Sequence, residues 1–293
     1  MKQDQSKKAP AVTEVVETIE EIERNFGPIA YDKAGSILRM FQNALGPELF
    51  RDALRNYVKK NHRNVVSPLN FYAAFEDVLT EKSFYSFKFT EAFQTWELQK
   101  GYPVVQVSFN KSSKQFHVTQ KRFFVSELIE DDEPGSWFIP LNFATSEDLN
   151  FDDTRITHFF DQGTDEKIFT IEDQPDWYVF NKQQLGHYRV NYDFENWHQL
   201  IVLLDSENYH QIHVLNRAQL VDDAMMLSDG GYLDYKVSLG VLMYMRRETE
   251  YNPWAAATSQ LKYLNELLGE RNSIFNVSML NREGKLKKRV DAS

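Results

Sequence analysis

The sequence has no cysteine at all. One absence therefore excludes a disulfide framework, a thiolate nucleophile and a cysteine-ligated zinc site. No stretch approaches the ~20 consecutive apolar residues that span a bilayer, and Met1 to Pro10 is polar rather than signal-like. No leader, anchor or transmembrane segment is expected within the chain. Basic charge is also in short supply. Lys and Arg total 33 against 43 Asp and Glu, giving a net charge of -10. A phosphate-binding face needs basic clustering, so no nucleic-acid partner is expected. The one dense basic run, Lys285 to Arg289, reads as a solvated tail. There is no Gly-x-Ser-x-Gly elbow and no glycine-rich phosphate loop. The two Asn-x-Ser triplets, at Asn110 and Asn276, mean little without a secretory signal.

What is present is apolar bulk and pattern. Of 293 residues, 42% are hydrophobic and 14% aromatic, enough for buried cores in two or three domains. Residues 1–16 read as a loose polar segment. From 17 to 98 the period is helical. Ile37, Phe41 and Leu45 recur every four residues, Gly46 stops that helix, and Pro47 opens the next. Ser67-Pro68 is an N-cap and first-turn pair ahead of Leu69, Tyr72, Phe75 and Leu79.

Past Gly101-Tyr-Pro103 the period falls to two. Val105, Val107 and Phe109 alternate, a turn spans Asn110 to Lys114, and Phe116 and Val118 return the strand. Further short runs at Trp137/Ile139/Leu141, Trp177 to Phe180 and Tyr188/Val190/Tyr192 predict an antiparallel β-sandwich over 99–192. Turn-rich spacers separate them, one of them Asp161 to Lys167. Helical period returns over 193–269, interrupted at Gly230-Gly231. Helices are expected over Tyr235–Arg247 and from about Pro253 to Leu268, the start of an α-helical array. Residues 270–293 read as a polar tail. The fold class is thus multidomain α+β.

Ile29-Ala-Tyr-Asp-Lys-Ala-Gly-Ser-Ile-Leu-Arg-Met40 resembles the Ser-Tyr-x-Lys-Gly-x-x-Val-Leu-Arg-Met stretch of the M1, or gluzincin, zinc aminopeptidases, the group that includes aminopeptidase N and its insect relatives. Phe93 to Val104, with Trp96, Gln99, Gly101, Tyr102 and Pro103, resembles the junction that ends the catalytic domain there. Gln120 to Phe123 and Trp137 to Pro140 are similar to that family's β-sandwich. Asn216 to Ala224 and Glu250 to Trp254 are similar to the opening of its C-terminal helical domain.

The resemblance implies that 17–98 is the helical end of a thermolysin-like catalytic domain. It implies zinc as cofactor, a peptide as substrate, and a parent often found at the plasma membrane or outside the cell. It further implies that Tyr31 is the transition-state stabiliser, since a neutral phenol can donate to the oxyanion formed at the scissile carbonyl. Lys33-Ala34-Gly35 departs from the family's Lys-Gly-Ala order.

None of the seven histidines begins the His-Glu-x-x-His motif, so no zinc ligand is expected within this chain. His210 and His213, spaced i, i+3 with Asp222 or Asp223 in reach by sequence, read as ordinary surface or capping residues, not a metal site. The Asp222-Asp223 pair is expected to cap a helix or to pair with Arg217. Two functions remain open at this point: a piece of a peptide-cleaving zinc enzyme, inactive alone, or a non-catalytic interaction module that associates through exposed apolar surface.

Overall fold

The computed structural model describes residues 1, 4–5, 9–83, 86–125, 135–161 and 163–268. Among these the fold is mixed α and β. Helices come first: α1 (Ile19–Asn25), a π-helical turn (Ile29–Lys33), α2 (Ala34–Leu45), α3 (Pro47–Lys60), α4 (Pro68–Glu81) and α5 (Phe89–Glu97). The capping expected at Ser67 is present: its backbone N–H donates to the Asn70 side chain at 2.8 Å. Ile37, Phe41 and Leu45 are all buried, as their spacing predicts. Phe41 meets Phe89, Phe93 and Phe138, so the α2 stripe becomes the centre of an aromatic cluster.

Eight strands follow: β1 (Pro103–Asn110), β2 (Gln115–Arg122), β3 (Ile139–Leu141), β4 (Phe143–Thr145), β5 (His158–Phe160), β6 (Glu166–Thr170), β7 (Tyr178–Phe180) and β8 (Arg189–Tyr192). The main sheet has the order β6-β2-β1-β8, while β3 pairs β5 and β4 pairs β7. The all-antiparallel expectation needs one correction, because β1 and β8 run parallel, with Val105 opposite Val190. The long excursion between them makes this feasible, since parallel neighbours need a crossover rather than a hairpin. Strands β4, β5 and β6 are too short or too polar to show in the period, and β6 begins inside the expected Asp161–Lys167 spacer.

The last group is α6 (Phe194–Leu204), α7 (Val214–Asp229), α8 (Tyr235–Met243) and α9 (Tyr251–Leu268). Helix α7 stops at Gly230, where expected. The Tyr235–Arg247 helix tightens to a 3-10 turn from Tyr244, and α9 starts two residues ahead of Pro253, which then sits in its first turn, where a missing N–H costs nothing. One contiguous core runs from Ile37 to Ala257. Helices and strands are also tied by hydrogen bonds. The Trp96 indole donates to the Phe138 carbonyl at 2.6 Å, and Asn43 donates to that of Thr154 at 2.7 Å.

The N-terminal segment is not loose throughout. Asp4, Ala9 and Ala11 are buried, and Val12 packs on the core. Asp4 is held by a buried cation, which a reading from composition does not reveal. The expected polar tail, 270–293, lies outside the described residues.

Candidate functional site

Tyr31 lies in the π-helical turn that follows Gly27-Pro28. Pro28 fixes φ at -58° for helix entry, and the Tyr31 amide donates to the Gly27 carbonyl at 3.1 Å. Wider single turns of this kind occur frequently where a side chain must be aimed. The phenol is 63% exposed, free to meet a ligand from solvent. Two residues on, the situation inverts. Lys33 is 2% exposed, and its ammonium donates to the carbonyls of Gln99 and Gly101 and to Asp4. Burial lowers the Lys33 pKa, and the Asp4 carboxylate opposes that shift. Of the departure at Ala34-Gly35, the Gly35 position has open space: a Cβ added there would meet nothing within 4 Å.

Beside this turn, Ala34 and Leu38 form one wall of an open groove of about 370 Å³. Tyr57, Phe71, Tyr72, Phe93 and Glu97 are among the other residues that line it. The Glu97 carboxylate accepts from the Tyr72 phenol and, at 2.6 Å, from the Thr13 hydroxyl. Burial and then this carboxylate push the Tyr72 phenol well above its ordinary range, so it stays a neutral donor.

The Asp222-Asp223 pair does not meet Arg217. Arg189 takes both, its Nη1 lying 2.7 Å from Asp222 Oδ2 and 2.8 Å from Asp223 Oδ1. The reason is burial on both faces of β8, which sends Arg189 under α7. The Val190 amide adds a third hydrogen bond to this acid pair, at 3.1 Å from Asp223 Oδ2. Arg217 instead grips Glu248, Nε to Oε2 at 2.7 Å, and donates to the Ile212 carbonyl.

His210 and His213 do not join these acids. The His213 Nδ1 accepts from the Leu215 amide as the N-cap of α7, with its ring facing Phe151. Nine residues of helix separate it from Asp222, roughly 13 Å along the axis. Among the described residues no group of three His, Cys, Asp or Glu is placed to hold a metal ion. The donor set among these residues does not fit zinc. Nor, among the described residues, is any helix long and apolar enough to cross a membrane.

Sequence reasoning missed the Asp4–Lys33 and Arg189–Asp223 pairs. One signal was there to read: Lys33 stands four residues before Ile37, on the stripe that Phe41 and Leu45 continue into the core.

Comparison with known proteins adds the following. A model described as Peptidase family M1 domain matches residues 1–96, and one described as ERAP1-like C-terminal domain matches 177–280. The chain is similar to aminopeptidase N of Plutella xylostella, 37% identical over 262 residues, covering 88% of this chain and 27% of the relative. It is similar to membrane alanyl aminopeptidase of Heliothis virescens, at 32% over 84% of this chain and 25% of the relative. Human glutamyl aminopeptidase matches at 29% over 94% of this chain and 28% of its own length. The chain thus spans about a quarter of the length of these relatives.

Proposed function

We propose that this chain, which belongs to peptidase family M1, is one section of a metallo-aminopeptidase, and that Tyr31 is its contribution to the chemistry. The intact enzyme would remove N-terminal residues from peptides. In this reading, 17–98 is the helical end of a thermolysin-like catalytic domain, 99–192 a β-sandwich domain and 193–269 the opening of a helical domain. The first family match ends at 96, which supports a boundary near 98, while the second begins at 177, inside 99–192. Zinc would be held by residues outside this chain, because the acids and histidines described here do not converge. The names of the relatives include membrane enzymes and ectoenzymes, which supports action at a membrane surface.

The observation that carries the reading is the contrast within one turn. Lys33 is anchored by three oxygens while the Tyr31 phenol faces solvent, so the turn holds a donor still without satisfying it. A positioned donor aimed at developing negative charge is worth ~10²–10³ in rate. The test is a chimera in which these residues replace the matching quarter of Plutella xylostella aminopeptidase N. The chimera should release aminoacyl 4-nitroanilides, and Tyr31→Phe should lower its kcat by about 10²–10³ with KM little changed. A Tyr31→Phe chimera as fast as its parent would overturn the role. The chain alone, supplied with zinc, is expected to release nothing; zinc-dependent release by it would overturn the assignment of the metal centre.

A second reading, an interaction module, rests on one specific feature. Ile19 and Ile22 of α1 and Phe26 at its C-terminal end recur at helical spacing, and Val15 lies just before the helix; all are exposed, Ile19 by 72% and Phe26 by 70%.

A further inference from the structure

Asp4 is 1% exposed, yet it belongs to a polar N-terminal segment and ordinarily would be solvated. Its carboxylate is met by two donors, Lys33 and the Gly101 amide, and approached by His187 from a third part of the chain. Lys33 Nζ lies 3.2 Å from Oδ1 and 3.0 Å from Oδ2. The Gly101 amide donates to Oδ1 at 3.1 Å, from a backbone with φ of +75° that glycine adopts without strain. His187 Nε2 stands 3.7 Å from Oδ2, an ion-pair distance but too long for a hydrogen bond.

His187 is itself only 5% exposed and packed edge-on to Trp96 and Tyr102, and its Nε2 makes no hydrogen bond in the described structure. A buried ring nitrogen that makes no hydrogen bond, beside a carboxylate already met by the Lys33 ammonium and the Gly101 amide, marks a pocket shaped for an anion. The surrounding charge agrees. The Arg122 guanidinium acts on the Lys33 ammonium, so removing Asp4 would leave like charges facing each other.

We propose that Lys33, the Gly101 amide and His187 form a carboxylate-binding seat, which Asp4 fills in cis to latch the N-terminal segment against the turn that carries Tyr31. The donors all come from the folded body: the π-helical turn, the α5–β1 junction and the approach to β8. Only the ligand comes from the N-terminal segment. Such a seat, when vacated, accepts another small carboxylate. The inference does not depend on the catalytic role of Tyr31, and its test uses no enzyme activity.

Asp4→Asn preserves shape and removes the charge. Thermal unfolding of the variant chain should fall by roughly 5–15 °C, as expected when one partner of a buried ion pair is lost. Formate or acetate at about 0.2 M should restore a third or more of that loss, while equal chloride should not, and the unsubstituted chain should respond to neither. In parallel, acetylation of Lys33 by an amine-reactive ester, followed by mass spectrometry, should be about tenfold faster in the variant and slow again with formate. Should the variant accumulate unfolded, its refolding yield with and without formate is read in the same way. A variant as stable as the parent, or one whose loss formate does not reverse beyond chloride, would overturn the seat.

Discussion

Lys33 and Tyr31 answer to opposite demands two residues apart: one must lose its water and the other must keep it. A buried ammonium is tolerated only where oxygens replace its hydration, and here they come from Asp4 and two carbonyls. Arg217 and Glu248 show the same rule with a cleaner test. Burial alone would raise the Glu248 carboxyl, but hydrogen bonds from Arg217 and from the amides of Glu250 and Thr249 outweigh it and hold the group below its ordinary value. A depressed carboxylate stabilises the fold above its unfolded pKa, and that share is lost as pH falls through the folded value. Glu248→Ala should therefore cost about 3–5 kcal/mol at pH 7, because it strands a buried guanidinium. Arg217→Met with Glu248→Leu should cost far less than the two single changes summed. Urea unfolding of the four chains measures the coupling, which should shrink in acid; a coupling near zero at pH 7 would refute it. None of these partners is legible in sequence. Arg217 and Asp222 are near in sequence, but five apart on one helix they do not share a face, while Glu248 is reached only through the chain's return.

At the scale of elements, two glycines make the helix boundaries testable. Gly46 separates α2 from α3 with φ 85° and ψ 149°, a region essentially closed to side-chain-bearing residues, although a Cβ there would touch nothing within 4 Å. Gly35 has the same open space but lies in the first turn of α2. The same substitution should thus have opposite signs. Gly46→Ala should cost roughly 1–3 kcal/mol by backbone strain alone. Gly35→Ala should add about 0.5 kcal/mol by restricting the unfolded chain. Shifts in the urea midpoint of the same sign for both would show that the α2 boundaries are misplaced. Elements with strong period, α2 to α4 and β1 with β2, could be read from the sequence because one face of each meets the core. Short β4 and β5 could not. Helix α7 falls in the expected helical stretch that Gly230 ends, but it is buried on nearly every side, from Asn216 through Ser228, so the internal partners of its polar residues could not be read.

For the whole molecule, the question is what meets the apolar residues that the core leaves outside. Scattered exposed hydrophobes are normal, but Val15, Ile19, Ile22 and Phe26 follow one another at intervals of three and four. The helix is capped properly, with Thr18 and Glu21 bonding reciprocally, so the stripe is not a product of a frayed end. An apolar stripe of this kind, flanked by Glu20, Glu21 and Glu23, favours association once chains are concentrated. Light scattering should then give a mass above 34.4 kDa that rises with concentration. Ile19→Glu with Phe26→Glu should return it to the single-chain value without moving the unfolding midpoint, because neither side chain is buried. A parent that remains one chain at every concentration, or a doubly substituted chain that still associates, would show that this stripe is not the contact. The first outcome would leave the reading as part of an aminopeptidase standing, since that reading rests on Tyr31 and its turn and not on this face.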